Sequence, residues 1–257
     1  MVSIDFAYAQ ARAQARLGKR MAEDGWRVLE SSLGLPQYLS SVRSTVLAPR
    51  VQHFSIHVTP HTIERTLRED WRVEVAAVGR WVPEPWQAAV GWTAWIPYIE
   101  AVAWLLADEP PLPWMRDDPV LSVLALDDPA GRRLAIAGSP FAALDEDDPR
   151  SSPERRWLAH WQSLWPATSD EESANLQRLV EAVRDYLAAT ARDGVTLCDR
   201  REVRAVLVDR VTATMHRRIE QPVVVFCYLV LFALELQRLR DGLLRRALFN
   251  VEARERA

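Results

Sequence analysis

The chain has 257 residues, of which 49% are hydrophobic and 26% are charged, and its formal net charge is −3. Eleven tryptophans and several leucine- and valine-rich runs can offset the conformational entropy lost on folding, which excludes a largely disordered chain. The near-neutral charge argues against general nucleic-acid binding, because that function requires a basic surface.

The first sixty residues predict helices followed by a short extended stretch. Residues 6–20 are rich in alanine, glutamine and arginine, and residues 21–33 continue with large apolar side chains at helical spacing. Pro36 can begin a third, short helix, because proline is well tolerated in a first helical turn. Residues 52–58 contain β-branched side chains, which favour an extended conformation.

Two longer helices are predicted in the next part of the chain. Thr59-Pro60 has the sequence of an N-cap followed by a first helical residue, and the helix that it begins can run to Trp81. A second helical pattern of apolar residues covers residues 84–106. Pro97 lies inside this second pattern, where it predicts a kink.

Residues 109–153 differ from the segments on either side, because they are rich in proline and in paired aspartates. Residues 120–126 and 134–137 could pair as a β-hairpin. In the alternative interpretation, Asp128 caps a short helix that stops at Gly138. We favour short helices, which makes this segment a connector between two helical modules.

The remainder of the chain again predicts helices. Trp157, Trp161 and Trp165 recur every four residues and therefore share one helix face, which is more often a core face than a partner-binding face. Ser169 begins a capping-box sequence, and Asp199 is a candidate cap for the helix after it.

The last predicted helix begins after Pro222, contains the apolar run 223–234 and ends near residues 246–248. As a helix the apolar run would span about 18 Å, which is shorter than the roughly 30 Å hydrocarbon core of a membrane. It therefore predicts a buried core helix and not a membrane span.

Together the patterns predict an all-α chain, a multi-helix bundle of related helical modules. We expect an N-terminal helical module (1–108), a Pro/Asp-rich connector (109–153) and a C-terminal helical module (154–257), packed as one compact unit. No secretory signal is expected, because the first residues have neither a basic nor an apolar region.

No catalytic, cofactor-binding or metal site is predicted. His53, His57 and His61 are spaced by four, but a helix boundary at Pro60 separates the third from the others. We therefore favour loop histidines over a zinc site. The aspartate pairs are each followed by proline, a sequence typical of helix starts and turns, so we favour a structural use for them over metal binding.

The last predicted helix is rich in arginine at its carboxyl-terminal end. These arginines form a candidate interface for an acidic partner, and the alternative is a solvated helix end whose cations suit the helix dipole. The candidate interface residues are Arg238, Arg240, Arg245 and Arg246.

The same helix resembles a helix of a known protein family. Pro222 is followed by the apolar run, by Tyr228-Leu229 and by the segment 232–240, Phe-Ala-Leu-Glu-Leu-Gln-Arg-Leu-Arg. This order is similar to the last core helix of the subunit called C in prokaryotic and d in eukaryotic rotary V-type ATPases. In that helix, an apolar run and Tyr-Leu precede a Lys-Glu-x-Glu-Ile-x-Asn-Leu-Arg pattern.

Four positions match this pattern without a gap: Tyr228, Glu235, Leu239 and Arg240. Phe232-Ala233 replaces the Lys-Glu pair, and Arg238 replaces the asparagine. Residues 8–16, Tyr-Ala-Gln-Ala-Arg-Ala-Gln-Ala-Arg, are similar to the opening Tyr-x-x-Ala-Arg helix of the family. Residues 98–106 match only the apolar frame of an internal repeat of the family.

The resemblance implies an all-helical, funnel-like socket on the cytoplasmic face of a membrane rotor ring. Such a subunit receives the central axle, transmits torque and has no active site of its own. Its partners would be rotor-ring and axle subunits, and it would be a cytoplasmic protein attached to the membrane only through them, without cofactors. The implied core of the family-like helix is formed by Tyr228, Leu229, Glu235 and Leu239.

Two other functions remain open on the sequence alone. The first is a helical adaptor of another membrane-associated machine, such as the cytoplasmic platform of a secretion system. The second is a helical enzyme that uses aspartate or histidine side chains. The identity of the bound partners would distinguish an adaptor from a rotary ATPase subunit. Stoichiometric metal, or a deep pocket lined by aspartate or histidine side chains, would favour an enzyme.

Overall fold

The computed structural model describes residues 6–145, 151–192 and 196–255. These residues are helical apart from turns and loops, and no strand occurs among them, so the predicted all-α class is confirmed. The α-helices, in chain order, are α1 (Ala7–Leu17), α2 (Glu23–Glu30), α3 (Leu35–Arg43), α4 (Ala48–Val51), α5 (Pro60–Gly79), α6 (Glu84–Trp92), α7 (Ile99–Leu106), α8 (Pro113–Arg116), α9 (Pro129–Ala137), α10 (Pro153–Ser163), α11 (Asp170–Thr190), α12 (Leu197–Arg217) and α13 (Val223–Glu255). Short 3-10 helices cover Thr93–Tyr98 and Ala142–Leu144.

Several helix starts follow the predicted side-chain caps. The hydroxyl oxygen of Thr59 accepts a hydrogen bond from the backbone N–H of Thr62, at the start of α5. The Asp128 carboxylate accepts one from the N–H of Gly131, so this part of the connector is a helix and not a hairpin. Ser169 begins α11 with a complete capping box. Each cap satisfies a backbone donor that the first helical turn leaves unpaired.

Other local expectations are corrected. Asp199 is not the cap of α12: Thr196 is the N-cap, and Asp199 completes its capping box from the third helical position. Residues 52–58 form turns after α4 and are not extended. The interruption predicted at Pro97 is present: Pro97 lies in the 3-10 helix Thr93–Tyr98, which separates α6 from α7. Helix α13 continues beyond the predicted end, to Glu255.

The chain divides into two compact units. The first contains Met1–Glu84 and Ala167–Ala257, and the second contains Pro85–Pro166. This division differs from the expected boundaries at residues 108 and 153: helices α6 and α7 belong with the connector and α10, while both ends of the chain share one unit.

Helix α13 forms the core of the first unit. It packs against α1, α3, α5, α11 and α12. Its apolar run, residues 223–234, is almost entirely buried, which confirms the predicted core helix. A helix that is apolar on every face can be stable in a globular protein only when other elements surround it, and these five helices do so.

The second unit has its own core, in which the tryptophan stripe takes part. Trp161 is buried and its indole N–H donates to the Ala89 carbonyl at 3.0 Å. The rings of Trp157 and Trp161 are stacked at 6.1 Å, and Trp92 donates to the Trp157 carbonyl. The stripe therefore packs within this unit, as the core interpretation predicts, although Trp157 and Trp165 are only partly buried.

Within the described ranges, one helical stretch, Glu84–Leu106, is long and apolar enough to cross a membrane. It consists of α6, the 3-10 helix and α7, and 44% of its most apolar window is buried inside the protein. Core helices of globular proteins meet the same criterion, so this stretch by itself is weak support for a membrane span.

Candidate functional site

The arginines predicted as a partner interface lie on the second half of α13, and Arg238 is buried there. Its guanidinium binds both carboxylate oxygens of Glu23, at 2.6 and 2.8 Å, and donates from Nε to Glu30 at 2.6 Å. It also lies 4.8 Å from the ring centroid of Trp26. These hydrogen bonds lower the pKa of Glu23. Arg238 therefore links α13 to α2 through ion pairs, and its guanidinium is not available to a partner protein.

Arg246 is also internal, with 7% of the residue exposed. Its guanidinium donates to the carbonyl oxygen of Ser32 at 2.6 Å from Nη2 and 2.9 Å from Nε, and to that of Glu30 at 3.1 Å. The last carbonyls of a helix have no intrahelical donor and carry partial negative charge. Arg246 supplies both the donors and the opposite charge at the end of α2.

The other two arginines reach the surface to different extents. Arg240 is partly exposed and pairs with Glu64 on α5 at 2.5 Å. Arg245 is exposed, and no ion pair involves it among the described residues. The expected four-arginine interface is thus corrected: Arg238 and Arg246 are buried because α2 presents carboxylates and free carbonyls to them, and only Arg245 remains fully at the surface.

The first half of α13 contributes a buried polar cluster. The Tyr228 hydroxyl donates to Oε1 of Glu74 at 2.7 Å, and Nη1 of Arg16 binds both oxygens of Glu74 at 2.5 Å. Arg50 lies 3.7 Å from the same carboxylate. Burial, and then the bond to Glu74, raise the pKa of Tyr228. A buried carboxylate is tolerated here because two guanidiniums and a hydroxyl surround it.

The remaining residues assigned to the family-like helix are buried as well. Glu235 accepts a hydrogen bond from the backbone N–H of Met21 at 3.2 Å. Burial raises the pKa of this carboxyl group, and the charge of Arg20 opposes the shift. Leu229 and Leu239 lie in the apolar core. The Glu235 hydrogen bond joins α13 to the residues that follow α1.

A second arrangement of charged groups lies between α11 and α12. The two helices enclose a cleft of about 400 Å³. Four arginines line it: Arg178, Arg210, Arg217 and Arg218. Its α11 residues follow helical spacing (175, 178, 179, 182), as do the α12 residues (210, 211, 213, 214, 217), and Arg218 follows directly after α12. The sequence analysis missed this cleft, because spacing identifies a face of one helix but not the helix that faces it.

No group of three or more metal-ligating side chains is close enough to hold an ion within residues 6–145, 151–192 and 196–255. Of the three spaced histidines, His53 and His57 lie in the turns after α4, and His61 lies in the first turn of α5. Pro60, the first residue of α5, separates them, as the sequence indicates.

No protein-family model matches this chain, and no curated protein matches it by sequence.

Proposed function

We propose that this protein is a non-catalytic coupling subunit of a V-type rotary ATPase, which links the central axle to the membrane rotor ring. It would work at the cytoplasmic face and attach to the membrane through its partner subunits. One observation carries the proposal. The two segments that resemble the family, at opposite ends of the chain, meet in a buried polar cluster around Glu74, where Arg16 of α1 and Tyr228 of α13 share its carboxylate.

Two positions at which the chain departs from the family pattern have specific contacts here. Phe232 stacks on Trp71 with ring centroids 6.2 Å apart, and the Arg50 guanidinium lies 4.9 Å from its ring. Arg238 binds Glu23 and Glu30. Both side chains therefore help to hold this helix inside the first unit.

The experiment is an affinity purification of the tagged full chain from detergent-solubilised membranes of the native host, with mass-spectrometric identification of the bound proteins. We expect rotor-ring and axle subunits in stoichiometric amounts. A parallel purification uses the Tyr228→Asp variant, which places a carboxylate beside buried Glu74 and should unfold the first unit. Proteins recovered equally with both forms are background.

Two outcomes would contradict the proposal. Stoichiometric recovery of a different membrane assembly, without rotor-ring or axle subunits, would instead favour the adaptor function. Recovery of the folded chain alone would mean that the resemblance reflects only similar helix patterning. In that case, a search for enzymatic activity would follow.

A further inference from the structure

The cleft between α11 and α12 has the size and the lining of a small-ligand site. Its volume of about 400 Å³ lies within the range of roughly 300–1,000 Å³ that is usual for such sites. Buried apolar side chains form its floor, among them Leu179, Ala182 and Val211. An apolar floor lowers the effective dielectric constant on one side of a bound ligand, which strengthens electrostatic contacts with it.

Two of the four arginines in the cleft form ion pairs with carboxylates of α11. Arg210 lies 3.6 Å from Asp185, and Arg218 lies 2.5 Å from Glu171. These pairs connect α11 to α12 and its C-cap at sequence positions on either side of Arg178. They do not involve the other two guanidiniums.

Arg178 and Arg217 retain their positive charge, one on each wall. Arg178 donates to the side-chain oxygen of Asn175 at 2.7 Å and forms no ion pair with any described residue. Arg217 is exposed, and within the same residues it has no carboxylate partner. The cleft therefore presents two uncompensated guanidiniums from facing helices.

Asn175 is the hydrogen-bond partner of Arg178. It is 3% exposed, and both ends of its amide are occupied: the oxygen accepts from Arg178, and the nitrogen donates to Gln221 at 2.7 Å. The buried amide therefore offers the exposed Arg178 side chain a well-placed acceptor at the edge of the cleft.

We infer that this cleft binds a compact phosphate-bearing anion, held between the guanidiniums of Arg178 and Arg217. A guanidinium presents paired N–H donors that match two oxygens of a phosphate group. Together the two guanidiniums carry a charge of +2, which can neutralise a dianion. The volume of about 400 Å³ favours a small anion over an acidic protein segment. The phosphate can belong to a soluble polyphosphate or to a lipid headgroup.

The primary test is isothermal titration calorimetry of the full chain with inorganic triphosphate at physiological ionic strength. We expect saturable binding of one anion per chain. The double variant Arg178→Gln/Arg217→Gln should weaken it by at least about tenfold, because the change removes both uncompensated guanidiniums. The charge-retaining variant Arg178→Lys/Arg217→Lys should give an intermediate affinity, since an ammonium group cannot form the paired bonds.

A matched control is available on the same two helices. Arg184→Gln/Arg200→Gln removes the same charge from α11 and α12 outside the cleft and should change the affinity by less than about twofold. Circular dichroism and thermal unfolding verify that each variant is folded. All four arginine residues are exposed, so these substitutions remove no buried side chain.

Two further binding experiments identify the source and the chemistry of the anion. Cosedimentation with vesicles that contain a phosphorylated phosphoinositide, competed by triphosphate, would assign a lipid headgroup. Binding of triphosphate without vesicle binding would assign a soluble ligand. Citrate, a tricarboxylate, should bind more weakly than triphosphate.

Three results would overturn the inference: no saturable binding of triphosphate or of the phosphoinositide vesicles, equal loss of affinity in the cleft and control variants, or citrate binding as tight as that of triphosphate. None of these measurements depends on rotary ATPase subunits. The proposal of anion binding in the cleft and the proposal of a coupling function can therefore be refuted independently.

Discussion

The guanidinium of Arg246 lies 4.2 Å from the ring centroid of Tyr38, whose hydroxyl is buried and has no hydrogen-bond partner among the described residues. Burial raises the pKa of that hydroxyl to about 12. The same arginine binds the carbonyls at the end of α2. One side chain of α13 therefore packs on an aromatic ring of α3 and supplies hydrogen-bond donors to the carboxyl-terminal end of α2.

Tyr38→Phe should therefore stabilise the protein. The substitution removes a hydroxyl that is buried without compensation, and the free energy of unfolding should rise by up to about 1 kcal/mol. The same change at Tyr228 should lower it by about 1–2 kcal/mol, because the buried Glu74 carboxylate loses a donor. Urea denaturation of both variants measures the two effects, and a destabilised Tyr38→Phe would contradict the first.

Gly242→Ala should destabilise the protein. A Cβ atom at Gly242 would lie 2.6 Å from Cζ of Tyr38, which has no room to move because it is fully buried. Overpacking of this kind costs about 1–3 kcal/mol. Gly91→Ala is the control: nothing lies within 4 Å of its added Cβ, so the better helix former should be neutral or slightly stabilising. Equal thermal midpoints for the two variants would refute the predicted clash.

Arg245 and Arg246 are neighbours in sequence with opposite expected responses to charge reversal. Arg246→Glu buries a carboxylate against the carbonyl oxygens of Glu30 and Ser32, at and just after the end of α2, and should lower the free energy of unfolding by at least about 3 kcal/mol. Arg245→Glu should change it by less than about 0.5 kcal/mol, because the side chain is exposed. Denaturant titration distinguishes them. Only Arg245→Glu can then test whether this end of α13 binds an acidic partner, which we expect it to weaken.

The contact between Arg238 and Glu23 predicts an acid-dependent loss of stability. Hydrogen bonds from Arg238 lower the pKa of Glu23 below its ordinary value of 4.5. The unfolded chain therefore binds a proton first as the pH falls. The contribution is fully present above pH 4.5 and is lost as the pH falls through the lower folded-state pKa.

Unfolding of the wild type and of Glu23→Gln should be compared from neutral pH to below pH 4. The difference in stability between them should be constant near neutral pH and shrink in acid. If the difference in unfolding free energy does not change with pH, the ionised carboxylate of Glu23 does not stabilise the folded protein more than the neutral amide does. Glu30→Gln, which removes the second acidic partner of Arg238, provides a comparison.

Local sequence signals predict much of this fold because they act over a few residues. Thr59, Asp128 and Ser169 cap the helices that they were expected to cap. Asp199 was misassigned because Thr196, three residues earlier, forms the cap and Asp199 only completes it. The sequence is compatible with either Thr196 or Asp199 as the N-cap, and only the backbone geometry distinguishes the two.

The candidate interface was harder to predict, because its arginines look alike in sequence. Arg238 and Arg246 are eight residues apart and both contact α2, whose relevant residues lie more than 200 positions earlier. Nothing within α13 indicates that these two are buried while Arg245 is exposed. The cleft between α11 and α12 was missed for the same reason, since its charge depends on which helices become neighbours.

The position of α13 has a consequence for the order in which the protein can fold as it is synthesised. The second unit is a continuous segment, so it can fold as soon as it leaves the ribosome. Helices α1, α3 and α5 must wait, because the helix against which they pack is made last among the described elements. Until then Glu74 lacks the Tyr228 hydroxyl and Trp26 lacks Arg238. The nascent first unit therefore exposes apolar surface for most of translation, and it is the part of the chain that chaperones should bind.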